Sequence, residues 1–169
     1  MPSLRQSDAM LSSPRSPSST ILGLLALSLS AVPALADAGC EGADSATSLT
    51  VQVSGMTSAR GEIAITVYGS DSKKFLAPKG KLLRVRPKTV APTTHACFNL
   101  PGPGTYAVAV YHDANANEDF DRSVLGMPAE GFGFSNDAPT RFGLPAFEAV
   151  RFSVETGLNL IPIKLRYLK

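Results

Sequence analysis

At 169 residues the chain has room for one domain of ordinary size, or for one domain behind a leader. Its 44% hydrophobic and 18% charged residues suit a packed core and exclude a wholly disordered chain. A net charge of +2 over scattered basic residues leaves no stripe for nucleic acid, and two cysteines with two histidines leave no zinc cluster.

Residues 1–36 read as a secretory signal. Arg5 and Arg15 precede an apolar run, Ile21–Val32, and Ala34-Leu35-Ala36 follows as a small-residue cleavage site. The run is about 12 residues long, too short to span a bilayer. Cleavage after Ala36 is expected, which places the mature protein in the periplasm or outside the cell with no transmembrane span of its own. An uncleaved anchor is one alternative. Lipid attachment at Cys40 is another, although Asp37 stands where a lipobox wants an aliphatic residue. A linker over 37–47 and a single domain over 48–169 complete the division. In an oxidising compartment Cys40 and Cys97 are expected to pair, the alternative being two buried thiols. The bridge would close a loop of about 57 residues, worth about 4 kcal/mol in the chain-entropy model.

Short runs of period two dominate the mature chain. Leu49, Val51 and Val53 alternate with polar residues, and so do Ile63, Ile65 and Val67, then Leu83 and Val85. Thr93 to Leu100 is a fourth run. Tyr106–Tyr111 is apolar on both faces and reads as a central strand. Val150, Phe152 and Val154 form a sixth run, and Leu158 to Leu165 a seventh. Pro87, Pro92 and Pro162 assign their strands to edges or bulges. One helical turn is expected within Ser70–Leu76 and another within Pro145–Val150. Thr105-Tyr106 behind a glycine turn resembles a tyrosine corner. The fold class is therefore all-β: an antiparallel Greek-key β-sandwich of about seven strands, immunoglobulin-like or transthyretin-like.

From Asp113 to about Phe147 no strand is evident. Excursions of that length are functional or disordered, and disorder is poor in aromatics. This one carries Phe120, Phe132, Phe134, Phe142 and Phe147, so an ordered loop docked on the sandwich is expected. Its start, Asp113-Ala-Asn115-Ala-Asn117-Glu-Asp119-Phe-Asp121, spaces oxygen side chains two residues apart, as hard cations require. Calcium is the expected ion, held by Asp113, Asn115, Asn117, Asp119 (through its carbonyl) and Asp121. Two departures count against it. Glu118 stands where such loops want a left-handed glycine, and Val124 where they want a bidentate glutamate, a gap that Glu130 is placed to fill. The competing expectation is a metal-free polar turn closed by Asx hydrogen bonds.

Glu130, Phe132 and Phe134 are the candidate binding surface. Alternation turns His112 to the face opposite Tyr111 and Asp113. An enzyme site around His112, Asp113 and Glu130 is the alternative reading, with Ser135 as a weakly marked nucleophile.

Gly104-Thr-Tyr-Ala-Val-Ala-Val-Tyr-His-Asp113, then Asn115, Asn117 and Asp121, then Gly126-Met-Pro-Ala-Glu-Gly-Phe-Gly-Phe-Ser-Asn136 and Pro145-Ala-Phe-Glu148, closely resemble the bacterial family known as domain of unknown function 2141. The resemblance covers about Leu49 to Leu165. It implies an exported single-domain protein and brings no catalytic residues. The family usually has Asn-Gly where this chain has Asn117-Glu118. The expectation is thus a non-enzymatic exported module with an unidentified envelope or extracellular partner.

Overall fold

The computed structural model describes residues 39–140 and 143–168; the expected leader, residues 1–36, and Phe142 lie outside them. Among the described residues eight strands form two sheets. β1 (Thr47–Ser54), β4 (Thr93–Asn99) and β8 (Gly157–Lys164) make the first, in the order β4-β1-β8. β3 (Leu83–Val85), β2 (Glu62–Tyr68), β5 (Gly104–Asp113) and β6 (Gly131–Phe134) make the second in that order, and β7 (Phe152–Val154) pairs with the start of β5.

The alternating residues do what their period demands. Leu49, Val51 and Val53 from the first sheet meet Ile63, Ile65, Val67, Val108 and Val110 from the second, all buried. Each such side chain contributes about 1.5–3 kcal/mol by leaving water. The three prolines mark edges as expected: β3, β4 and β8 each lie at the margin of a sheet. Tyr106 forms the corner, its hydroxyl donating to the Gly102 carbonyl at 2.8 Å. A disulfide joins Cys40 to Cys97 on β4. Beside it Glu41 exchanges backbone hydrogen bonds with Cys97 and Asn99, so the linker is stitched to the sheet at Glu41.

Two features depart from the expectation. Most pairings are antiparallel, but β1 and β8 run parallel, because the chain passes from β7 on one sheet to β8 on the other before reaching β1's flank. The excursion also contains a strand, β6, in Gly-Phe-Gly-Phe. Its inward positions are glycines because other groups occupy that space. A Cβ at Gly131 would meet the Tyr167 ring, and one at Gly133 would lie 2.9 Å from Ile163 and from the Lys164 carbonyl. Backbone hydrogen bonds between Phe132 and Arg166 lay the chain after β8 along β6.

Candidate functional site

The outer face of the second sheet carries a second cluster. Alternation puts Tyr68 on β2, Ala107 on β5 and Phe132 and Phe134 on β6 to this side. The one-turn helix α1 (Phe147–Val150) adds Phe147 and Val150, and all six are buried. Phe75, next to the short 3-10 turn Ser72–Lys74, packs edge-on against Tyr68, Phe134 and Phe147 at 5.2–6.2 Å between ring centres. Phe120 bridges Tyr111 and Phe132 at 5.3 and 5.9 Å. These spacings are those of favourable aromatic pairs. Among its described residues the excursion is therefore docked on the sheet, as its ring content implied.

Asp113 holds the start of that excursion. Its carboxylate is wholly buried at the end of β5. One oxygen accepts from Arg86 Nη1 at 3.0 Å and from the Glu118 N–H at 2.8 Å; the other accepts from the Asn117 N–H at 3.1 Å. Arg86 also donates to Glu62 at 2.9 Å, to the Tyr111 hydroxyl at 2.6 Å and to the Glu118 carbonyl. One guanidinium thus ties β2, β5 and the loop together with charge-assisted bonds. Glu118 takes the left-handed backbone, φ 66°, in the position where a glycine was wanted.

Beyond Asp113 the oxygen-rich run closes on itself. The Asn115 and Asn117 amides donate to the two Asp121 oxygens at 2.9 and 3.1 Å, and the Asp119 N–H donates to Asn117 at 3.0 Å, leaving the Asp119 side chain exposed. Glu130 returns to the loop, accepting from the Asp121 N–H at 3.2 Å. Burial pushes its carboxyl above the usual range, and the charges of Asp113 and Asp121 add to the push against backbone N–H groups of Asp121 and Ala114. The five residues named from the spacing therefore divide: Asn115, Asn117 and Asp121 converge with Glu130, Asp113 turns to Arg86, and Asp119 stays at the rim. Among the described residues no three of His, Cys, Asp and Glu are gathered as metal ligands.

The residues of the alternative enzyme reading are not brought together. His112 is buried on the inner face, its Nε2 donating to the Arg60 carbonyl at 2.8 Å and its Nδ1 accepting from the Tyr167 hydroxyl at 2.7 Å. Asp113, the next residue, faces the other way. Ser135 is wholly buried, accepting from the Val108 N–H at 3.0 Å and donating to the Val150 carbonyl. Both polar side chains are committed to holding the fold.

Beside the knot lies a groove of about 240 Å³. Its floor is low because the facing pair Thr66 and Ala109 is small, while Tyr68, Tyr111, Phe120, Phe132 and Phe134 stand around it. Arg84 and Arg122 reach it from either side. Phe132 and Phe134, named from the sequence, thus line it; Glu130 faces a separate hollow with Asn115 and Asp121. Sequence reasoning missed Arg84, Arg86 and Arg122. The alternation of Leu83 and Val85 with the first two carried the signal, since it turns both arginines to the outer side.

Fold and site define a two-sheet β-sandwich with an aromatic, arginine-flanked groove on the outer face of one sheet. Residues 51–161 match the family model described as an uncharacterized protein conserved in bacteria, DUF2141, and the chain belongs to that family. No curated protein and no solved structure matches it.

Proposed function

We propose that the chain is an exported, non-enzymatic recognition module, whose excursion is locked onto the second sheet so that its rings and that sheet together make a binding groove. The carrying observation is the buried Asp113 carboxylate, which the Arg86 guanidinium and two loop N–H groups neutralise at the root of the excursion. An unpaired buried carboxylate is unstable, so the knot is kept closed. Export rests on the expected leader, and N-terminal sequencing of protein recovered from the cell envelope tests it, with Asp37 as the expected first residue. Limited proteolysis tests the lock. The first part of the excursion, residues 114–130, resists cleavage in the parent protein and is cut in Arg86→Ala while the sandwich keeps its circular-dichroism spectrum. Cleavage within 114–130 of the parent overturns the reading.

Calcium is the second reading, and Glu130 favours it. Burial holds this carboxyl high, the charges of Asp113 and Asp121 add to the push, and a cation beside Glu130 and Asp121, from whose N–H Glu130 accepts at 3.2 Å, offsets both. Asn115 and Asn117 can present a carbonyl oxygen by a flip that gives up the bonds their oxygens accept from the Asn117 and Asp119 N–H groups. In this reading Asn115, Asn117, Asp121 and Glu130 hold the ion, with Asp119 at the rim and Arg86 retaining Asp113. Exported calcium sites work at about 10⁻⁴–10⁻³ M. A rise in melting temperature over that range supports the ion; an unchanged melt leaves the arginine-locked turn alone.

A further inference from the structure

We infer that the groove on the outer face of the second sheet binds a small aromatic carboxylate, its ring among Tyr68, Phe120, Phe132 and Phe134 and its carboxylate between Arg84 and Arg122. This rests on the reading of the groove as a recognition surface and gives that surface its ligand class.

Three observations converge. The first is shape. Thr66 and Ala109 leave a dent in the middle of a sheet face otherwise covered by rings, and ring edges and faces meet a flat aromatic body well. The second is charge. Among the described residues no acidic side chain lines the groove, whereas two arginines do. Among the described residues Arg86 forms the ion pairs, with Glu62 and Asp113, and neither Arg84 nor Arg122 has a carboxylate partner. Arg84 donates its Nε to Thr66 at 2.8 Å and its guanidinium also meets the Tyr68 hydroxyl, which holds the guanidinium plane over the sheet with no carboxylate on it. Beside it burial pushes the Tyr68 phenol up, and the Arg84 charge pulls against that. Arg122 lies over the Phe120 ring at 5.3 Å and is steadied by a 3.0 Å bond to the Gly126 carbonyl. A guanidinium held in one plane matches the fork of a carboxylate. The third is size. About 240 Å³ is below the ~300–1,000 Å³ typical of drug-sized ligands, so the occupant is compact.

The role of each group follows. The rings supply burial for the ligand body. The arginines select an anion, because a neutral ligand would leave two cations partly desolvated without a partner. A cationic ligand is rejected outright.

Titration calorimetry with naphthoate, naphthalenemethanol and naphthylmethylamine on the purified protein tests this. Naphthoate binds one-to-one, naphthalenemethanol about tenfold or more weaker, and naphthylmethylamine not measurably, a tenfold change being about 1.4 kcal/mol. The double variant Arg84→Gln/Arg122→Gln, with an unchanged melting temperature, loses the preference for the anion. Ala109→Val, which fills the floor, weakens naphthoate and naphthalenemethanol alike. A peptide ending in phenylalanine separates a free acid from a chain terminus: binding weaker than naphthoate's supports the free acid, and tighter binding overturns it. Equal binding of the three naphthalene probes, or none of naphthoate, overturns the ligand class. Proteolytic resistance of residues 114–130 is read separately, so the lock can stand while the ligand class falls.

Discussion

The molecule has two hydrophobic clusters on opposite sides of one sheet, and they are built differently. Between the sheets, aliphatic side chains from alternating strands interlock, and the strand ladders bring them there. On the outer face, rings from β2, β6, the 3-10 turn and α1 gather around a long connection with few ladders of its own. The inner cluster is a consequence of strand period. The outer one gathers around that connection, whose start Asp113 and Arg86 bond to the sheet. The difference teaches where function fits: the inner cluster is closed, whereas the outer one leaves a groove between its rings.

Each side of that comparison can be broken. Replacing Cys40 and Cys97 by serine removes the bridge to β4 and is expected to cost about 4 kcal/mol in denaturant unfolding, while residues 114–130 keep their resistance to protease in the folded fraction. Arg86→Ala does the converse. It strands the buried Asp113 carboxylate and is expected to cost about 3 kcal/mol, with early loss of the excursion. Gly133→Ala drives a methyl toward Ile163 and the Lys164 carbonyl, and overpacking of this kind costs about 1–3 kcal/mol in chemical unfolding.

Two smaller changes sharpen the comparison. Glu118→Gly relieves a left-handed backbone and is expected to stabilise by about 1 kcal/mol or less in a melting scan, without loss of the knot, because the backbone makes its bonds to Asp113 and Arg86. Glu130→Gln tests the charge beside it. A carboxyl held above its ordinary range binds its proton more tightly folded than unfolded. Its stabilising contribution is therefore present below the ordinary carboxylate range and is lost as pH rises through the raised value. The variant is expected to melt slightly higher than the parent at neutral pH and equally in acid.

The inner cluster was legible because period two in Leu49–Val53, Ile63–Val67 and Tyr106–Tyr111 states which face is buried. The edges were legible from Pro87, Pro92 and Pro162, and the bridge from the presence of just two cysteines. The parallel pairing of β1 with β8 was not, since a strand's own residues do not name its neighbour. β6 escaped because glycines occupy its inward positions, and the reason for them, Tyr167 opposite Gly131 and Ile163 opposite Gly133, lies 36 and 30 positions further along the chain, where only folding brings it near. In the candidate site the alternate oxygens of residues 113–121 were visible, and they do curl together in part. What the spacing could not show is that Asp113 is met by a cation from another strand. Arg86 reads as an ordinary polar residue after a short strand until the sheet sets it beside Asp113. The groove was hidden for the same reason: its floor, Thr66 and Ala109, consists of small residues notable only for what stands around them.

Amide hydrogen exchange at Asn117 and Glu118 is the most direct test that Asp113 and Arg86 lock the excursion. Both N–H groups end on the Asp113 carboxylate. They are expected to be protected in the parent protein and to exchange freely in Arg86→Ala, while the amides of Val51 and Val108 keep their protection. Free exchange at Asn117 and Glu118 in the parent, or unchanged protection in the variant, would contradict the lock.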